Sequence, residues 1–474
     1  MAPHTRRRFL EIAGLAGGGV LLRRALWNEA WAQEASAEPR FLLMVYFSGG
    51  WDQLLALDPR DATLPAHQYV GGKAPTAGVY PAYEEAAARS SAVQAVMQAT
   101  AGKGVQAAAG LTFGPAVTSS LLAHAGDLSI VRGMMMDTLT HEVGRRYLLT
   151  GKFPRGLAAS GSSLNTVVAA QAQSVLDLPN LVVNVEAYNA GYPAFASPIF
   201  VRNATDVRAV LNPQAATPVL KGSSEALLEA YENGPVDCAE AELDMDGDAV
   251  AFRDSRAQAR KITGSSAGAL FQFANPPPNT DVEKLFTAFN LDPARELNSM
   301  KARAALAAQA LTRGISQAVS VTLADGLDDH FDLPGQHAAS LSPGFHALGL
   351  LISYLKSKQV GTTGKSYWDC TTLFGFSEFS RTPLLNARDG RDHHLTGSCL
   401  VAGPGLKRGK VFGTSTATGG MQVPAVDLAT GTQVATGGVA VRPCDVHATL
   451  LKSMGMDSSH LSNQSPRLLT GLLK

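Results

Sequence analysis

Phe41-Leu42-Leu43-Met44-Val45-Tyr46-Phe47, followed by Ser48-Gly49-Gly50, is the stretch that decides the fold. Seven consecutive apolar residues that end at a turn are typical of a central strand buried on both faces. Similar strand-like runs at 318–323 and 371–376 flank a helical stretch at about 345–356. This alternation predicts an α/β fold, with a doubly wound and mainly parallel sheet that carries helices on both faces.

The composition excludes several classes of protein. The chain has 474 residues, and its 40 Lys and Arg balance its 40 Asp and Glu to a formal net charge of +0. Only 17% of the residues are charged, which excludes a coiled coil and a disordered acidic chain. Since no basic stretch follows the N-terminus, we expect no nucleic-acid partner. No apolar run of about 18 residues follows it either, so we expect no membrane span after processing.

Residues 1–32 predict a twin-arginine signal peptide. A run of arginines precedes Phe-Leu at 6–10, and the apolar stretch at 12–22 is too short for the roughly 20 residues of a membrane span. Two small-residue sites would allow cleavage after Ala32 or Ala37. We therefore expect the twin-arginine translocase to export the protein, which would then be periplasmic or secreted. Two alternatives stay open: an N-terminal helix of the mature protein, and an uncleaved anchor, because a second arginine pair follows the apolar stretch.

The rest of the chain, residues 40–474, is predicted to be one α/β domain. Within it, the segment 202–280 is interpreted as a peripheral insertion. Its stretch 233–248 is acidic and rich in turn residues, and three consecutive prolines lie within 275–279.

Polar side chains follow several of the strand-like runs at the point where each run ends. Asp52 follows the first run, Asp328 and His330 follow 318–323, and Glu378 follows 371–376. A further group, Asp392 with His393, precedes a run at 398–402. Because ligands collect beyond the carboxyl ends of parallel strands, we expect these groups to meet. Carboxylates and imidazoles together suit one or two divalent cations, although each residue alone is also typical of a turn or a loop hydrogen bond.

The spacing within these groups adds two expectations. Asp328 and His330 are two residues apart, so extended backbone would direct both side chains to one side, where they could share a metal. Asp392 and His393 are adjacent, and a regular strand would separate them. Both can serve one ion only if the loop bends.

The order of these motifs resembles that of a known family. The chain contains, in this order, a twin-arginine leader, Gly-Gly-x-Asp, Thr-His at 140–141, Asp-x-His, Ser-Glu-Phe-Ser-Arg-Thr-Pro at 377–383, Arg-Asp-His-His at 391–394 and a late Pro-x-Asp at 443–445. This order is similar to that of the exported domain-of-unknown-function 1501 family, across essentially the whole mature chain. That family is similar to the alkaline-phosphatase-like superfamily, which includes sulfatases and phosphomutases. The resemblance implies an alkaline-phosphatase-like sandwich and a two-metal site.

The resemblance also implies roles for individual residues. Thr140 would be the nucleophile, with its hydroxyl pKa lowered by a metal, and His141 would bind or orient the leaving oxygen. Arg381 would hold an anionic oxygen with both arms of its guanidinium, or else form a salt bridge at the strand end. The implied metal ligands are Asp52, Asp328, His330, Glu378, Asp392 and His393.

Two functions remain open on the sequence. The first is a metal-dependent hydrolase that uses zinc, manganese or calcium to cleave a phosphate or sulfate ester of an anionic small molecule or polymer. The second is a non-catalytic exported binding or assembly protein with a degenerate metal site. It is favoured by an Asp-x-His motif shorter than the superfamily's Asp-x-x-x-His, and by Glu378 standing where an Asp-His pair is usual. The chain has no Cys/Ser-x-Pro-x-Arg stretch, which excludes a formylglycine sulfatase.

Overall fold

The computed structural model describes residues 39–61, 104–172, 176–212, 222–234, 253, 266–331, 334–384, 386–388, 390–417 and 420–474. Residues Arg40–Lys474 form one compact unit. The predicted signal peptide at 1–32, with its two cleavage sites, lies outside the described residues.

The described strands are numbered in chain order. They are β1 (Phe41–Phe47), β2 (Gln106–Ala108), β3 (Leu111–Phe113), β4 (Ser129–Met135), β5 (Asn180–Val183), β6 (Ile199–Val201), β7 (Ala318–Ala324), β8 (Thr371–Phe376), β9 (Ser380–Arg381), β10 (His393–His394), β11 (Thr396–Ala402) and β12 (Val411–Phe412). Within the described part of the chain, eight of them form one sheet in the order β12-β4-β11-β8-β1-β7-β5-β6. Neighbouring strands are parallel, except that β11 is antiparallel to both β4 and β8. The predicted mainly parallel sheet is confirmed.

Helices cover both faces of this sheet, as predicted. The helices of the described residues are α1 (Ser119–Leu122), α2 (His141–Thr150), α3 (Leu164–Gln171), α4 (Ala204–Leu211), α5 (Gly222–Asn233), α6 (Asp281–Phe289), α7 (Met300–Thr312), α8 (Pro334–Ser357) and α9 (Pro443–Ser453). All seven residues of β1 are buried, and successive side chains enter opposite cores. Leu43 lies in a core shared with α6, α7 and α8, whereas Leu42 lies in a core shared with α2, α3 and α9. A run that is apolar throughout is therefore needed at β1, because neither of its faces meets water.

Helix α8 contributes much of the first core. Its stretch Gln336–Ser357 is long and apolar enough to cross a membrane by length and composition alone, yet 61% of the tested window is buried within the protein. Leu348, Leu351 and Leu355 belong to the first core. These are the properties of the core helix of a folded domain.

The segment 202–280 is described only in part. Its first helix, α4, buries Val207 and Leu211, and its short 3-10 helix Ser266–Phe271 buries Phe271 in the same core. Both ends of the predicted insertion thus pack into the domain, while most of its middle lies outside the described residues.

Candidate metal centre

Three imidazoles surround one carboxylate oxygen beyond the carboxyl ends of the central strands. Asp328 Oδ1 lies 3.1 Å from His141 Nε2, 3.1 Å from His330 Nε2 and 3.2 Å from His393 Nε2. The Nε2 atoms of His330 and His393 are 2.9 Å apart. The donor atoms of His141, Asp328 and His393 all lie within 4.8 Å of one another, a spacing at which one metal ion can be held.

The fold brings these residues together from three places. His141 is the first residue of α2, Asp328 and His330 lie in the loop after β7, and His393 begins β10. Gly49, just after β1, lets the Asp328 loop approach, because its φ is +115° and an added Cβ would lie 2.7 Å from the Asp328 backbone nitrogen. The loop is then fixed by a hydrogen bond from Leu327 N to Ser48 O, of 3.1 Å.

Each imidazole is oriented by an acceptor on its other ring nitrogen. Nδ1 of His141 lies 2.7 Å from Glu378 Oε1, Nδ1 of His330 lies 2.9 Å from Asp392 Oδ1, and Nδ1 of His393 lies 2.5 Å from the Leu139 carbonyl oxygen. A carboxylate or carbonyl oxygen accepts only, so we assign the proton of each ring to Nδ1. The Nε2 lone pairs then face Asp328. This is the arrangement that metal-ligating histidines have in proteins.

The charges around the imidazoles shift several pKa values. Burial alone would raise the pKa of Asp328, but the hydrogen bond and the positive charge of Arg381 bring it well below its ordinary value. Burial likewise would raise the pKa of Glu378, yet its hydrogen bond with His141 lowers it. For His141, burial lowers the pKa, but Glu378 and Asp328 outweigh burial and raise it overall. Lone pairs that converge on an ionised carboxylate repel it, so a cation at this point would stabilise the cluster.

Arg381 supplies a fixed positive charge beside the cluster. Its side chain is 1% exposed. It donates from Nε to Gly50 O at 3.0 Å, from Nη1 to Arg391 O at 3.1 Å and from Nη2 to Gly49 O. The same Nη2 lies 2.6 Å from Asp328 Oδ1, and Nη1 lies 3.4 Å from His330 Nε2. The guanidinium is therefore held by backbone carbonyls and directed at the cluster.

The six ligands predicted from the sequence fall into three groups in the structure: three lie at the cluster, two lie behind the imidazoles, and Asp52 lies elsewhere. Asp328, His330 and His393 meet at one point, together with His141, for which we had predicted a different role. Glu378 and Asp392 lie behind the imidazoles, on their Nδ1 sides, and orient them.

Asp52 is engaged elsewhere. Its Oδ2 lies 3.0 Å from Arg391 Nε, and both side chains are 1% exposed. Its Oδ1 accepts a hydrogen bond from Leu54 N at 2.9 Å, as in a turn. A buried guanidinium requires a buried carboxylate, and Asp52 meets that requirement for Arg391.

The predicted nucleophile, Thr140, directly precedes His141. Thr140 is exposed and is the N-cap residue of α2, but its side chain makes no capping hydrogen bond to the helix. Its hydroxyl is thus not committed to the role that a threonine at this position commonly has.

Three contributors were not singled out from the sequence. The Leu139 carbonyl orients His393, Arg391 pairs with Asp52, and Ser377 accepts hydrogen bonds from Gly50 N and Trp51 N at 3.1 and 3.0 Å. A backbone carbonyl has no sequence signal. Ser377 and Arg391, by contrast, stand inside motifs that had drawn attention to Glu378 and Asp392.

A cavity of about 660 Å³ lies beside Arg145 of α2. Its lining includes Ser48, the residue after β1, and Arg145, which is paired with Glu186 at 2.6 Å. Arg145 lies four residues after His141 on α2, so the two side chains emerge about 6 Å apart along one face of the helix.

Comparisons with known proteins place the chain in a family. No curated protein matches the sequence. Among solved structures, the chain is similar to the lipoteichoic acid synthase LtaP from Listeria monocytogenes, at 8% identity over 92% of this chain and 75% of that chain, with a TM-score of 0.34. It is also similar to the PsFucS1 sulfatase from Pseudoalteromonas sp. (9% identity, 96% and 72% covered, TM-score 0.32). A third is the phosphonate monoester hydrolase SpPMH from Silicibacter pomeroyi (13% identity, 92% and 77% covered, TM-score 0.29). Likenesses at these scores say nothing about the activity of this chain. A family model described as "Protein of unknown function (DUF1501)" matches residues 40–472, so the chain belongs to the DUF1501 family.

Proposed function

We propose that this chain is a metal-dependent hydrolase of phosphate or sulfate esters. The observation that carries the proposal is the convergence of three Nε2 atoms on Asp328 Oδ1, while each Nδ1 is bound to an acceptor. Histidines that only stabilise a fold have no need of a common focus for their lone pairs.

The donor set fits a zinc-like ion. His141, His330, His393 and Asp328 would hold it, with three imidazole nitrogens and one carboxylate oxygen. Manganese is compatible with this set, whereas calcium prefers oxygen ligands throughout and does not match it. Such an ion would act as a Lewis acid on the ester and lower the pKa of a nearby hydroxyl or water.

The chain's own residues supply the rest of the chemistry. Thr140 presents an uncommitted hydroxyl next to His141 and would attack the phosphorus or sulfur atom of the ester. Arg381 and the N-terminus of α2 provide positive charge where an anionic oxygen would develop negative charge. After the alcohol departs, water would release the phosphate or sulfate from Thr140.

The shape of the site suits an ester with a substantial alcohol part. The side chain of Asp328 is 51% exposed, so the cluster is open to solvent. The cavity beside Arg145 has room for the portion of the substrate that does not react. An anionic small molecule or a polymer could therefore reach the centre.

Export remains part of the proposal. The arginines and apolar stretch within residues 1–32 support passage through the twin-arginine translocase to the periplasm or beyond. That route resembles the one used by proteins that are exported already folded, which suits a domain that binds its metal before export.

One experiment tests this function. The mature protein is purified, its metal content is measured, and a panel of chromogenic phosphate and sulfate esters is assayed. We expect stoichiometric zinc or manganese and turnover of at least one ester. The double variant Asp328→Ala, His330→Ala should lose both, whereas His346→Ala should lose neither, since His346 lies outside the cluster and contacts Ser120. Protein that holds no metal would contradict the proposal.

The second candidate, a non-catalytic binding or assembly protein, is supported by one observation. Asp52, which the resemblance implies to be a ligand, is buried against Arg391. Bound metal together with silence across the whole ester panel would favour this second function over the first.

A further inference from the structure

The charges in contact with the three imidazoles bear on how many ions the centre holds. The carboxylates of Asp328, Glu378 and Asp392, each within 3.2 Å of an imidazole nitrogen, contribute three negative charges. Arg381 contributes one positive charge. When their Nε2 atoms bind a metal and each proton stays on Nδ1, the three imidazoles are neutral. The set therefore carries two negative charges in excess, which one divalent cation neutralises and two would reverse.

Arg381 also lies where a second ion would need to bind. Its Nη2 is 2.6 Å from Asp328 Oδ1, the one carboxylate oxygen shared by all three imidazoles. Its Nη1 is 3.4 Å from His330 Nε2. A further dication beside Asp328 would be repelled by a buried guanidinium that three backbone carbonyls prevent from moving away.

We infer that the centre binds one metal ion and that Arg381 takes the place of a second. This inference rests on the proposed function and departs from the two-metal site that the resemblance implies. The guanidinium stabilises the Asp328 carboxylate from one side while the ion stabilises it from the other. It also offers N–H donors to a phosphate or sulfate oxygen, the task that a second metal performs in two-metal hydrolases.

This arrangement predicts opposite effects on metal and on anion. Removal of the guanidinium takes a positive charge away from the metal ligands, so the metal should bind more tightly. The same change removes the charged hydrogen bonds to the anion, so phosphate should bind more weakly. A purely structural role would weaken both, since a distorted site holds neither partner well.

The test counts zinc and measures two affinities. The wild-type protein is loaded with zinc alone, desalted and analysed by inductively coupled plasma mass spectrometry, and inorganic phosphate is then titrated calorimetrically. We expect one zinc per chain. Arg381→Met should bind zinc about tenfold more tightly in competition with a chelator, and phosphate about tenfold to a hundredfold more weakly. Arg381→Lys, which keeps the positive charge but not the planar pair of N–H donors, should retain one zinc and the wild-type zinc affinity. The control Arg388→Met, at an exposed position over the Phe331 ring, should change neither affinity.

Two zinc ions per wild-type chain would overturn the inference while leaving the proposed hydrolase intact. A simultaneous loss of zinc and phosphate binding in folded Arg381→Met would overturn it as well. Wild-type protein that binds no zinc or manganese would overturn the proposed function itself. The wild-type count decides the number of ions even if Arg381→Met does not fold.

Discussion

Glu378→Gln should weaken metal binding, because it removes the carboxylate that orients His141. The Glu378 carboxylate is 1% exposed and lies 2.7 Å from His141 Nδ1. It also accepts from Gly49 N at 2.9 and 3.1 Å and from Ser377 Oγ at 3.0 Å. Its neighbours are therefore donors, and a glutamine would direct an NH2 group at one of them. At least one charge-assisted hydrogen bond is lost, worth about 1.5–3 kcal/mol.

The loss acts mainly on the metal. With no fixed acceptor, His141 Nδ1 no longer holds its proton in place, and the lone pair on Nε2 is no longer directed at Asp328. A loss of about 1.5–3 kcal/mol corresponds to roughly a tenfold to hundredfold weaker metal affinity, which is also what removing such an orienting partner typically costs.

The assay is zinc affinity measured by competition with a chromogenic chelator. The control is Glu142→Gln, which makes the same change at the exposed neighbour of His141 and should leave the affinity at the wild-type value. Equal zinc affinities in Glu378→Gln and the wild type, with both proteins folded, would refute the assigned role of Glu378.

Three further predictions concern stability and backbone geometry. Asp58 is buried, and although burial raises its pKa, the charges of Arg60 and Arg132 lower it overall. In urea denaturation, Asp58→Asn should lower the free energy of unfolding by about 3–5 kcal/mol, whereas Asp325→Asn, in the more exposed pair with Arg303, should lower it by less than about 1 kcal/mol. Equal costs for the two variants would contradict this prediction. Burial lowers the pKa of His447 to about 3, so below about pH 6.5 the unfolded chain binds a proton that the folded chain does not. As the pH falls from about 6.5 to 3, the free energy of unfolding should therefore decrease by about 1.4 kcal/mol per pH unit on account of this residue. Urea denaturation of His447→Gln at several pH values should lack this part of the decrease. Gly49→Ala should reduce both stability and zinc affinity, because the added Cβ would lie 2.6 Å from Leu327 N. Gly110→Ala, where φ is +81° but the space around the added Cβ is open, should reduce stability alone. Unchanged zinc affinity in Gly49→Ala would contradict the proposed packing.

The sheet could be predicted from the sequence because its central strand has no polar face. The continuous apolar run of β1 has one structural explanation, burial between two layers, and the observed cores confirm it. The antiparallel β11 could not be read in the same way. Strand direction depends on the connection between strands, and the polar loop at 382–392 carries no signal of the direction in which the chain returns.

The candidate site was predictable in its residue types and less so in its contacts. Asp328 and His330, two residues apart, do point to one place, and their Oδ1 and Nε2 atoms are 3.1 Å apart. Asp392 and His393, being adjacent, lie on different sides of the His330 ring, at its Nδ1 and its Nε2. The pairing of Asp52 with Arg391 escaped prediction because a sequence does not reveal which buried carboxylate neutralises which guanidinium.

The most direct test of the central claim is an X-ray absorption spectrum of the zinc-loaded protein at the zinc edge. If three imidazoles and Asp328 hold one ion, the spectrum will fit three nitrogen ligands with imidazole multiple scattering and one oxygen ligand, at about 2.0–2.1 Å. The His330→Ala variant will lose one imidazole from that fit. A wild-type spectrum that fits oxygen ligands alone, or that is unchanged in His330→Ala, would contradict the centre described above.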